Sequence, residues 1–226
     1  MSPGTTAVAT TASATQDAGR GVPATEAPTW SDAVTRATAT CLDVLARAAA
    51  TTPTADPSAW HRPADEQRSS RQLLDHLALG LVGYTGLLIA RPTDRYITLF
   101  ASLDPRAPIG ACLDGLRIAG TLLATTVREA PPEARAWHPW GHADRTGFAA
   151  MGVVELLMHT HDITRALGIA WTPPDDIAGP ALTRLFPDAP PGAAPAATLL
   201  WCTGRGELPG RPRVSAGAWS WDGRVR

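Results

Sequence analysis

Residues 151–168 read MGVVELLMHTHDITRALG, and this stretch decides the fold. Met151, Val153, Val154, Leu156, Leu157, Met158 and Ile163 leave almost no face without an apolar side chain, the pattern of a helix buried on most sides. Within it, Glu155, His159 and Asp162 stand at i, i+4 and i+7, one stripe of one helix face. A carboxylate held in such surroundings without a partner is strongly destabilising, so the stripe calls for paired charges or a metal ion.

Three other helical patterns surround this one. Ser31 is a candidate N-cap for a helix carrying Val34, Ala37, Cys41, Val44, Leu45 and Ala48 as far as Thr51-Thr52-Pro53. After a Pro- and Asp-rich loop, Ser69 or Ser70 caps a second helix with Leu73, Leu74, Leu77, Leu81, Tyr84 and Leu88, ended by Arg91-Pro92. Asp104 and Pro105 lead into a third through Leu113, Leu116, Gly120, Leu123 and Val127, stopped by Pro131-Pro132. The fourth runs from about Thr146 to Leu167 and closes on Gly168. Four such segments without strand alternation among them predict an all-α fold, a four-helix bundle over residues 29–172. Residues 1–28 are Ala, Thr, Ser, Gly and Pro and predict a disordered tail. Residues 173–226 predict a short Pro-rich extension packed on the bundle, with an amphipathic piece at Ile177–Phe186 and, in VSAGAWSWDGR, one strand or an extended tail.

Composition prunes the functions. The 226 residues carry 20 basic and 21 acidic side chains, net charge -1, with no basic tract, which argues against a nucleic-acid partner. All the basic residues are Arg, so chemistry that needs a lysine amine is excluded. No run approaches the ~18 consecutive apolar residues of a membrane span. Cys41, Cys112 and Cys202 form no C-x-x-C pair and fit a reducing compartment, and the N-terminus lacks a signal-peptide pattern, so the expected location is the cytoplasm. A homodimer is compatible with the pattern but no feature decides it.

Glu155 and His159, one turn apart, can reach one ion between them, and a third ligand is expected from a facing helix. His76, mid-helix in QLLDHLALGLVGY, is the candidate, with Gly80 one turn later leaving room above the imidazole. One carboxylate and two imidazoles suit a catalytic zinc with an open position; iron or nickel are the alternatives. Against this stand blander readings: a hydrogen-bonded Glu–His pair and a satisfied core histidine. His161 lies about 200° round the helix from His159 and is read as structural. Asp162 either receives the outer N–H of a ligand histidine or pairs with Arg165. The loop AWHPWGHADRTGF contributes His138 and His142, either as general acid/base groups over the bundle end or as packed and exposed loop residues. Trp201, Trp219 and Trp221 are read as packing anchors, and Cys41 and Cys112 as buried, inert thiols.

The segments LLDHLA (73–78), WHPWGHADRTGFAAMGVVELLMHTHDITRALG (137–168), LFPDAPP (185–191) and TLLWCTGRGELPGRPR (198–213) resemble the DinB-like superfamily, and more closely actinobacterial proteins sharing the N-terminal domain of mycothiol-dependent maleylpyruvate isomerase. The resemblance covers roughly residues 30–222. It implies a bundle with one divalent metal held by His76, Glu155 and His159. It also implies a low-molecular-weight thiol such as mycothiol as cofactor, and isomerase or S-transferase chemistry on a small organic substrate. The C-terminal part is short and unlike the isomerase's second domain. Two other readings stay open: a thiol-independent metal-dependent lyase, hydrolase or cyclase, and a non-catalytic ligand-binding bundle.

Overall fold

The computed structural model describes Met1 and residues 29–55, 58–215 and 217–225, the side chains of 52–55 excepted. Apart from Met1, the tail expected over residues 1–28 lies outside the described residues. Among these residues six α-helices follow in order: α1 (Trp30–Ala55), α2 (Ser70–Ala90), α3 (Ile109–Glu129), α4 (Arg145–Ala166), α5 (Asp175–Leu185) and α6 (Pro195–Cys202), with a 3-10 turn at Ala59–His61. Among the described residues there is no strand, so the strand offered for VSAGAWSWDGR does not form; Ala218 N–H instead bonds the Ser215 carbonyl in a turn.

Helix ends follow local chemistry. Ser69 caps α2 in a reciprocal capping box with Gln72, and Arg91 closes it in the left-handed region (φ 51°) just before Pro92. Asp144 caps α4 by accepting from Gly147 N–H at 2.8 Å, and Gly168 follows the helix at φ 72°. At α1 the cap is Thr29 rather than Ser31: Thr29 and Asp32 exchange side-chain and backbone bonds at 3.0 and 3.2 Å. Ser31 instead donates to the Ala124 carbonyl of α3 at 2.8 Å. Helix α3 starts at Ile109, later than expected, because Asp104 and Pro105 close a turn of their own in which Ala107 N–H bonds the Asp104 carbonyl. Helix α1 continues past Pro53 to Ala55.

Each of α1 and α2 packs on both α3 and α4, which puts α1 and α2 at opposite corners of the bundle. One continuous core runs through the four long helices and takes in Ile177, Ala178, Ala181 and Leu185 of α5, which lies on α4, and Leu199 of α6, which lies on α5. Helix α2 is by length and composition apolar enough to cross a bilayer, although Arg71, Asp75 and His76 interrupt its apolar run. In the fold its Leu73, Leu74, Leu77, Leu81, Leu87 and Leu88 are buried in the bundle core.

Two glycines allow the closest helix approaches. A Cβ on Gly152 of α4 would lie 2.5 Å from Leu123 Cδ2 and 3.2 Å from Leu81 Cδ2. A Cβ on Gly120 of α3 would lie 2.6 Å from Thr38 Cγ2 of α1. Thr38 is stiff at χ1 and its hydroxyl is bound to the Val34 carbonyl, so it yields little. Gly120→Val is therefore expected to destabilise the protein by about 1–3 kcal/mol, the usual cost of overpacking. The shift of the urea midpoint measures this, and an unchanged midpoint would refute the tight α1–α3 contact.

Candidate metal centre

The stripe on α4 meets α2 in the bundle core. Glu155 Oε2 lies 3.0 Å from His159 Nε2 on its own helix and 3.8 Å from His76 Nε2 on α2. The two imidazoles stand edge to face, centroids 5.0 Å apart at 84°. One ligand atom from each of the three residues falls within 4.8 Å of the other two. Tetrahedral zinc with bonds near 2.0–2.1 Å holds its ligand atoms about 3.3 Å apart, so only small side-chain movements separate this arrangement from a coordinating one. Among the described residues, this is the one group of three or more His, Cys, Asp or Glu side chains close enough to share an ion.

The surroundings fix which imidazole nitrogen faces the centre. His159 Nδ1 lies 3.3 Å from Asp162 Oδ2 and donates to it, directing Nε2 toward Glu155. Asp162 is in turn forked by Arg205, whose Nε and Nη2 donate to its two oxygens at 3.0 and 2.7 Å. Arg165, the alternative partner for Asp162, instead donates to the Ala64 carbonyl at 2.7 Å. Tyr84 on α2 donates its hydroxyl to Glu155 Oε1 at 3.3 Å. The ligand set is thus bound from outside by a carboxylate, a guanidinium and a phenol.

The site opens beside His76. That side chain is 32% exposed, against 16% for Glu155 and 11% for His159, and a Cβ built on Gly80 would meet nothing within 4 Å. Tyr96 lies along α2 where Gly83 has no side chain. Burial, with the Glu155 charge, pushes its phenol up to about 12, so it stays protonated.

Electrostatics follow from burial set against pairing. Burial raises the Glu155 carboxyl, but the hydrogen bond and charge of His159 and the charge of His76 outweigh it and bring it to about 2. Asp162 is likewise raised by burial and brought to about 2 by His159 and Arg205. Burial lowers His159, but hydrogen bonds to Asp162 and Glu155 raise it to about 9. Without a cation, then, His159 at neutral pH is an imidazolium between two carboxylates: a proton stands where an ion would bind. His76 is lowered, chiefly by burial, and is already neutral.

The loop histidines separate. His138 is buried, its ring 6.2 Å from Tyr84 and 5.9 Å from Trp221. Its Nδ1 accepts from Trp140 N–H at 3.2 Å, so its proton sits on Nε2, and burial lowers it to about 4. His142 is exposed and donates to the Thr93 carbonyl at 2.7 Å; the structure does not bring it to the cluster. His161 lies off the stripe, with its Nδ1 buried and unpartnered. Cys41, Cys112 and Cys202 are buried free thiols, all raised by burial. The sequence pattern did not single out Tyr96 or Arg205, and it assigned Tyr84 to the core alone. The Tyr84 signal was present as its place two turns beyond His76 on α2. For Arg205 the only hint was that a buried Asp162 needs a cation.

No family model matches the chain, and neither a curated protein nor a solved structure matches it significantly.

Because an ion must displace the His159 proton, zinc binding at pH 7 is expected to release about one proton per ion, with affinity rising about tenfold per pH unit below about 9. Calorimetry in buffers of different ionisation enthalpy reads this directly. In the metal-free protein the pairing stabilises the fold over a window bounded by the two titrations. The part from His159 is complete below its ordinary 6.5 and lost as pH rises through about 9, and the part from Glu155 is complete above 4.5 and lost as pH falls toward 2. Proton-neutral zinc binding at pH 7 would contradict the imidazolium.

Proposed function

We propose that the protein is a metal-dependent enzyme acting on a small organic molecule, with His76, Glu155 and His159 holding the ion. The observation that carries this reading is the buried His–Glu–His group, whose outer hydrogen bonds are already in place and whose His76 side is open. Among the described residues no fourth His, Cys, Asp or Glu joins the cluster, which favours a catalytic centre over a closed structural one. When bound, a divalent ion supplies Lewis acidity, which holds a thiolate at neutral pH or polarises a carbonyl or a water.

The chain's own residues supply the rest. Asp162, held by Arg205, keeps the proton of His159 on Nδ1. Tyr84 steadies Glu155 from the other side. His138, neutral and protonated on Nε2, is suited to donating a hydrogen bond to a developing negative oxygen rather than to taking a proton. His142, bound to a loop carbonyl at the surface, has no such place. The buried and raised cysteines offer no thiolate, so a sulfur nucleophile would come from a cofactor.

Among metal-dependent reactions, a thiol-dependent isomerase or S-transferase is favoured by the likeness of residues 73–78 and 137–168 to the mycothiol-dependent maleylpyruvate isomerase group. Cobalt substitution separates this from thiol-independent chemistry. Adding mycothiol or glutathione to the cobalt protein is expected to produce a near-ultraviolet sulfur-to-cobalt absorption band that Glu155→Ala abolishes. A cobalt spectrum unmoved by saturating thiol would exclude the thiol reading and leave a lyase, hydrolase or cyclase.

A further inference from the structure

A second site lies apart from the ligand cluster, in the C-terminal segment. A cavity of about 590 Å³ is lined by Trp140, Trp201, Trp219, Trp221, Phe186 and Asp188 among others. Its volume is within the range of small-molecule pockets. Four of the chain's eight tryptophans meet here. Trp221 is 4% exposed and serves as a floor, whereas Trp140 is 39% exposed and Trp219 is partly open.

The ring geometry selects the ligand. The planes of Trp140, Trp219 and Trp221 are inclined to one another by 61°, 79° and 57°, with centroids 4.8–5.7 Å apart. The three rings pack edge to face or tilted on one another, and the corner they form offers inclined π-faces to a compact group carrying positive charge in every direction. The face of Trp219 already attracts a cation, with the Arg205 guanidinium 5.9 Å from its centroid. The charges on the lining agree: Asp222 is paired with Arg224 at 2.9 Å, while Asp188 forms no ion pair or hydrogen bond among the described residues. The corner is also braced. Gly223 N–H bonds the Trp140 carbonyl at 3.0 Å, Asp222 N–H bonds the Leu185 carbonyl at 2.8 Å, and Trp201 Nε1 donates to the Pro212 carbonyl at 3.0 Å. A braced aromatic corner loses little freedom on binding.

We infer that this cavity is a binding site for a small organic cation carrying a methylated, quaternary ammonium group, seated against Trp140, Trp219 and Trp221 with Asp188 at the rim. The site stands independently of the metal reading and is tested by direct binding to the full-length chain. Choline and 3,3-dimethylbutan-1-ol have the same shape and differ in charge, so titrating each by calorimetry isolates the cation. Choline is expected to bind saturably and about tenfold or more tighter than the neutral alcohol. Trp219→Ala is expected to reduce choline affinity about tenfold, and Asp188→Asn severalfold. Trp140→Leu, at a more exposed wall, serves if Trp219→Ala does not fold, with circular dichroism as the check. Equal affinity for the two compounds, no saturable binding of choline, or undiminished binding by the folded tryptophan variants would overturn the assignment.

Discussion

The structure depends on how α4 carries three ionisable side chains through a bundle core. Glu155, His159 and Asp162 occupy one face of a helix whose other faces are filled by fully buried Val153, Leu156, Leu157 and Ile163. Their burial is tolerable only as a connected set, in which every charge has an opposite neighbour or a hydrogen bond. The set recruits partners from distant parts of the chain: His76 and Tyr84 from α2, and Arg205 from beyond α6. The C-terminal segment is therefore tied to the centre electrostatically as well as by apolar contact, since Arg205 reaches Asp162 across 43 residues of sequence.

This connection accounts for two features of the arrangement. Asp144, which caps α4, is paired with Arg184 of α5 at 3.2 Å, so α5 holds one end of α4 while Arg205 holds the stripe nearer the other. Gly152, one turn before Glu155, allows α4 to approach Leu81 of α2 and Leu123 of α3 closely. Close approach there brings the next turn of α4 within reach of His76. Packing and chemistry are thus set by the same helix contacts.

Much of this was legible in the residues because helical periodicity is local. The stripe at 155, 159 and 162, a serine cap at 69 or 70, and the stop at Gly168 each rest on a spacing of a few positions. The partnership of His76 with α4 was also readable, since an imidazole on an apolar face points into the core wherever the helix packs. The misjudged ends had local competitors: Thr29 with Asp32 forms a better cap than Ser31, whose hydroxyl is spent on Ala124, and Asp104 closes its own turn ahead of α3. Helix α6, in an Ala- and Pro-rich run too short for periodicity, left no clear pattern. Arg205 and the aromatic corner were beyond reach because both depend on how the C-terminal segment crosses the bundle, which no spacing encodes. The exposed His142 and the buried His138 sit four positions apart in one loop, and only the bond of His138 Nδ1 to Trp140 N–H and that of His142 to Thr93 tell them apart.

The central claim is that one divalent cation belongs among the α2 imidazole and the α4 imidazole and carboxylate. A crystal of the zinc-loaded protein, measured on both sides of the zinc absorption edge, tests it most directly. The account predicts a single strong anomalous peak about 2.0–2.2 Å from His76 Nε2, His159 Nε2 and a Glu155 oxygen, with His159 Nδ1 still bonded to Asp162. An anomalous peak elsewhere, or zinc held by surface histidines while His159 keeps its ion pair with Glu155, would contradict it.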